Sequence, residues 1–194
     1  MNRPDLIRHL DRYAARHGDE APTVGRIRAL LTDRRDCFDR GCFAPGHITA
    51  SAWIVSRERR SVLLTHHRKL DRWLQLGGHT DGDADVLSAA LREASEESGL
   101  EDFVALPRVG GPEILDVDVH EIPARGSEPR HEHHDIRFLL ETSERVPLRR
   151  QESESKGMGW FRLEELERVL CEESLTRMAR KALAWLERSP IGPG

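Results

Sequence analysis

Lysine is nearly missing from these 194 residues. Lys69, Lys156 and Lys181 are the whole set, so arginine carries almost all of the positive charge. Lysine and arginine together number 30 against 34 acidic residues, for a formal charge of −4. No basic stripe is evident, which argues against a nucleic-acid polymer as partner. No apolar run approaches the roughly 20 residues needed to span a bilayer. The first residues, Met-Asn-Arg-Pro-Asp-Leu-Ile-Arg, lack the apolar core of a secretory signal, so no membrane partner is expected. Cysteine is also scarce. Cys37, Cys42 and Cys171 form an odd set that fits reduced thiols in a cytosol, and a cytoplasmic location is the expectation. A zinc site from Cys37, Cys42 and His47 lacks a fourth ligand in sequence, and buried thiols are the better reading. Internal repeats and low-complexity linkers are absent too. What remains, 38% hydrophobic and 33% charged, suits one soluble domain with a small appendage.

The pattern changes character along the chain. Residues 1–45 read as helical. Pro4 suits a first helical turn, and Leu6, Leu10, Tyr13 and Ala14 follow on one face before Gly18. A second segment from Pro22 repeats this with Ile27, Leu30 and Leu31. These helices either cover the main domain or supply a homodimer contact. From His47 strands take over: 48–55, 61–65, and a short 73–76 that delivers the chain to Gly77-Gly78. Residues 114–122 alternate, with Leu115, Val117 and Val119 on one face and Asp116, Asp118 and His120 on the other. A further strand covers 131–140, and Trp160-Phe161 forms a short one. A last helix after Ser174 carries an apolar core stripe of Leu175, Met178, Ala179, Ala182, Trp185 and Leu186.

Residues 78–100 carry the chemistry. A glycine loop leads into an amphipathic helix in which Leu87, Ala90, Leu91 and Ala94 form the face suited to burial. At about 100° per residue, Glu93, Glu96 and Glu97 fall within one arc of about 100°. Three carboxylates so close repel one another, and a hard divalent cation such as Mg²⁺ would offset that while leaving positions open for phosphate. A solvated acidic helix face is the bland alternative for the glutamates taken alone.

The stretch as a whole resembles the Nudix box, G-x5-E-x7-R-E-U-x-E-E-x-G-U with U apolar. Gly78, Arg92, Glu93, Glu96, Glu97, Gly99 and Leu100 stand at its positions, and Ala84 stands where the family usually has glutamate. The resemblance implies an α/β fold, a Nudix-type α/β/α sandwich with a mixed sheet. This would span 46–188, after the N-terminal helical extension (1–45) and before a flexible tail (189–194). It also implies the reaction: hydrolysis of the diphosphate bridge of a nucleoside diphosphate linked to another group, with Mg²⁺ or Mn²⁺. A nucleoside triphosphate pyrophosphatase and a catalytically silent nucleotide-binding regulator are the alternatives. Glu93, Glu96 and Glu97 are the expected metal ligands, joined by the carbonyl of Gly77 or Gly78, and Glu93 also serves catalysis. Arg92 is expected to orient Glu93 through a bidentate pair. The family often adds an acid on a later loop, and Glu154 is first choice for it, Glu152 second.

Histidine is the other unusual feature. Strand alternation puts His131, His133, Asp135 and Arg137 on one face, and His79 lies in the box loop. Such a set lines a small-molecule pocket, makes structural hydrogen bonds, or binds a transition metal. The substrate-binding expectation rests on His79, His131, His133, Arg137 and Trp73.

Overall fold

The computed structural model describes residues 1–107, 111–149, 155–170 and 172–189. Helix α1 (Arg3–Arg16) starts at a reciprocal cap. The Asn2 side chain accepts from the Asp5 amide at 3.0 Å, and the Asp5 carboxylate accepts from the Asn2 amide. Leu6, Leu10 and Tyr13 at helical spacing are fully buried. Helix α2 (Ala21–Asp33) buries Val24, Ile27, Leu30 and Leu31. Both apolar stripes enter one continuous core with Ile48, Ala50, Ala90 and Ala94, so the helices cover the main domain.

Among the described residues, eight strands form one mixed sheet. Its spine is β1 (Gly46–Ser56) running parallel to β7 (His131–Thr142) from Gly46↔Glu132 to Ser56↔Thr142. β6 (Ile114–Ile122) lies antiparallel on β7, as does the two-residue β5 (Val104–Ala105), which the sequence pattern is too short to announce. On the other side of β1, β2 (Ser61–His67) pairs only through Val62 and Leu63. Beyond that point β2 pairs with β3 (Arg72–Leu74), and the first half of β1 pairs with β4 (Leu76–His79). The chain of β3 and β4 therefore fills the divergence between β1 and β2 and carries the glycine pair to the centre of the sheet. β8 (Ser155–Arg162) is longer than the Trp160-Phe161 expectation because it pairs along the whole of β2.

Alternation along β1 divides the two layers. Ile48, Ala50, Ala52 and Ile54 face the core shared with α3 (Val86–Ser98). Trp53 and Val55 face the core under α5 (Glu173–Arg188), formed by Leu175, Met178, Ala179, Ala182 and Leu186. After β8 the chain makes a 3-10 turn, Leu163–Glu165, followed by the short α4 (Leu166–Val169). The result is the expected α/β sandwich with a mixed sheet. No helix of the described residues is long and apolar enough to cross a membrane.

Candidate active site

Helix α3 is held at both ends by its own sequence. Asp85 caps it by accepting from the Ser88 amide at 3.0 Å, and Gly99 ends it with φ of 71°. Ala89, Ala90 and Ala94 are buried, and Leu87 and Leu91 pack against the same core. Small alanines let the helix lie close on β1 and β4. That proximity sets the glutamates beside the glycine backbone.

A Cβ placed on Gly78 would lie 2.5 Å from Glu93 Oε2 and 3.1 Å from Oε1. At Gly77, φ is +150° and a Cβ would meet the Ala50 carbonyl oxygen at 2.6 Å. Both positions need glycine, the first to admit a carboxylate and the second to admit neighbouring backbone. Glu93 is only 13% exposed at its side chain, whereas Glu96 is 55% exposed. Glu97 is half-buried on the same helix. Burial pushes the Glu93 carboxyl above the ordinary glutamate value; Arg92 opposes the rise, and Glu96 and Asp81 add to it.

Arg92 orients Glu93, though not through the bidentate pair expected from sequence. One nitrogen, Nη1, donates to Glu93 Oε1 at 2.7 Å and to Glu96 Oε2 at 3.2 Å. The other, Nη2, donates to the His79 carbonyl at 2.7 Å and lies 3.7 Å from Asp81. The guanidinium thus ties the helix carboxylates to β4. An oxygen-only donor set, excess negative charge and a glycine cradle fit a hard divalent cation. Glu154 and Glu152 lie outside the described residues, and so does Cys171.

The histidines gather on the opposite face of β4. His47 and His133 are partners across β1 and β7, and His79 partners Thr49 across β1 and β4. His131 stacks on His47 with ring centroids 5.1 Å apart, and Phe43 packs edge-on against His131 at 5.0 Å. Burial first, then neighbouring imidazoles, lowers His133 to about 2. His47 falls to about 4 by burial, despite its bond to the Cys42 carbonyl, and burial also lowers His79. The His133 and His47 rings are therefore neutral at neutral pH. His47 was read only beside Cys37 and Cys42; its place among the other histidines was missed, because cross-strand partners cannot be read from one strand's alternation. The two cysteines are instead buried thiols. Trp73 stands apart on β3, edge-to-face with His66 at 5.0 Å and Phe161 at 4.6 Å.

Arg137 does not join the substrate-binding set. It is 3% exposed, and its guanidinium donates to Asp135 at 2.8 Å, Asp116 at 3.0 Å, Ser174 at 2.6 Å and Asp118 at 3.2 Å. The alternation that put it beside His133 was correct. Further along β7, however, that face is covered by α5 and its charge is consumed inside the protein. Asp135 is engaged likewise, accepting from Thr49 at 3.0 Å and Ser51 at 2.9 Å. A groove of about 500 Å³, lined in part by Leu106, Leu139 and Trp185, lies towards this far end of β7, away from the glutamates.

Comparison with known proteins places these features. The model of the NUDIX domain family matches residues 45–186. A NUDIX-family hydrolase from Clostridium perfringens is 26% identical with a TM-score of 0.54, over 72% of this chain and 97% of that one. The Ap4A hydrolase of C. elegans, in a binary complex, is 18% identical with a TM-score of 0.57, over 73% and 98%. The dihydroneopterin triphosphate pyrophosphohydrolase of E. coli is 14% identical with a TM-score of 0.52, over 71% and 95%. No curated protein matches the chain in sequence.

Proposed function

The chain belongs to the Nudix family and is a pyrophosphohydrolase acting on phosphoric anhydride bonds; from that premise we propose that it hydrolyses the diphosphate bridge of a nucleoside diphosphate linked to another group, with Mg²⁺ or Mn²⁺. One observation carries the reading. The Glu93 carboxylate rests on the Gly78 backbone, and Arg92 ties it to the His79 carbonyl, so helix and loop present one oxygen-lined site.

In this reading Glu93, Glu96 and Glu97, with the Gly77 carbonyl, hold the ion. When bound, such an ion neutralises phosphate oxygens and lowers the pKa of a coordinated water. Arg92 is a positioning residue, because its guanidinium donates to Glu93, Glu96 and the His79 carbonyl. Its bonds fix the Glu93 carboxylate, so the ligand geometry exists before substrate arrives. Glu154 is proposed as the base. Trp73, with a half-exposed indole, offers a stacking surface for a nucleobase, and the half-exposed His79 and His133 line a neighbouring surface; His131, expected from sequence to join them, is 5% exposed and stacked on His47, so it does not reach substrate.

A phosphate-release screen tests this. Nucleotide sugars, dinucleotides, nucleotide alcohols and triphosphates are supplied with Mg²⁺ or Mn²⁺, and Glu97→Gln serves as control. The expected result is one class of diphosphate derivative giving a nucleoside monophosphate and a phosphorylated partner, well above the control. Pyrophosphate released from triphosphates alone would overturn the substrate assignment. Nucleotide binding by thermal shift with no turnover of any class would replace it with a binding role.

A further inference from the structure

His47, His79 and His133 come from three strands and converge on one point. Their ring centroids lie 5.1 Å (His47–His79), 4.8 Å (His47–His133) and 5.3 Å (His79–His133) apart. One donor nitrogen from each lies within 4.8 Å of the other two. Backbone pairing sets this arrangement, since His47 and His133 are direct partners and His79 is one pleat further along β1. None of the three rides on a loop.

The protonation pattern favours a ligand over a packing role. His47 Nδ1 lies 3.2 Å from the Cys42 carbonyl oxygen, which can only accept, so Nδ1 carries the proton. His47 Nε2 is therefore a bare lone pair. It is buried with no hydrogen-bond partner, on a residue 1% exposed. An orphaned buried acceptor is destabilising, and the fold has set two more imidazoles around it. A backbone carbonyl that fixes the tautomer and aims the other nitrogen is the usual support of a metal-binding histidine.

We propose that His47, His79 and His133 bind a borderline transition-metal ion, Zn²⁺ foremost, at a second site separate from the carboxylates of α3. Imidazole donors select such ions over Mg²⁺, and three of them leave a fourth position for water or an anion. Donors held at tetrahedral zinc distances sit about 3.3 Å from one another, so small ring rotations close the trio. The His79 carbonyl also receives Arg92, so an ion on its side chain braces the strand that anchors the glutamate cluster. The inference goes beyond the hydrolysis reading: its residues are none of the carboxylate ligands, and the ion is detected without substrate.

The test uses full-length protein stripped by chelation and held in excess Mg²⁺. Zn²⁺ is titrated by calorimetry, Co²⁺ by visible absorption, and bound metal is counted by mass spectrometry. One equivalent per chain is expected, with the absorption of low-coordinate nitrogen-ligated Co²⁺ and a raised Tm. His47→Ala and His133→Ala should each weaken binding by more than about 100-fold, beyond the loss typical of an outer-shell partner. Glu97→Gln and His120→Ala should bind as wild type. His79→Gln, at a half-exposed position, tests the same site should His47→Ala fail to fold. Absence of stoichiometric binding overturns the proposal. So does binding that survives the histidine variants, or binding that Glu97→Gln abolishes. Weaker substrate affinity in His133→Ala, with no metal on the wild type, would also overturn it and return the histidines to the pocket wall.

Discussion

Two carboxylate clusters lie on opposite faces of one sheet and differ in how their charge is met. Under α5, Asp116, Asp118, Asp135 and Glu20 meet Arg137, Arg177 and Lys181 within the fold. Asp116 is fully buried there and Arg137 nearly so. Against α3, Glu93, Glu96 and Asp81 all draw on the guanidinium of Arg92, in part at exposed positions. The first cluster closes on itself and joins α5, β6 and β7 as a strut. The second keeps an anionic excess beside bare glycine backbone, which is what a cation-binding site requires. Counts of acidic residues would not have separated them; the geometry of their partners does.

The largest break in that contrast comes from the closed cluster. Arg137→Met leaves the buried Asp116 and Asp135 and the half-buried Asp118 without their central cation and should cost about 3–5 kcal/mol of stability in urea unfolding. A loss below about 1 kcal/mol would show that the cluster is no strut. The open cluster should respond the opposite way. Glu97→Gln should cut turnover by about 100-fold or more, as removal of metal-borne charge stabilisation does, while thermal unfolding stays near wild type. Wild-type turnover would remove Glu97 from the site.

Acid should dismantle the closed cluster first. Burial would raise the Asp118 carboxyl, but His120, Arg137 and Arg177 outweigh it and hold it at about 2; Asp116 is lowered as well. A depressed folded value means the stabilisation is complete above the unfolded aspartate value near 4 and drains as pH falls towards 2. Urea midpoints measured across that window should fall, and Asp118→Asn should flatten the slope. Gly78→Ala is a finer probe, since its Cβ would displace the Glu93 carboxylate. It should lower turnover by less than Glu97→Gln. The smallest effect is expected from Ala84→Glu, a part-buried position packed against the core ahead of α3. Turnover should barely change, and a large gain would show that the natural residue restrains the enzyme.

Local elements were legible because their signals are local. The apolar stripes of α1 and α2, the alternation of β6 and the glutamate arc of α3 all follow from periodicity within one segment. Misreadings came where partners are distant. Arg137 shares alternation with His133, yet only the cover of α5 decides that one is sealed and the other reaches the open end. β8 extends past its aromatic pair because β2 offers partners along its full length.

By itself, then, the sequence determined the clustering of the glutamates on α3, because a helix brings residues three and four apart together whatever surrounds it, and its resemblance to the Nudix box implied the reaction class. The tertiary structure alone decided that His47 would meet His79 and His133, and that Arg137 would be spent on Asp116, Asp118 and Asp135. Those outcomes depend on which strands pair and in what register, and pairing is settled by the packing of the whole sheet.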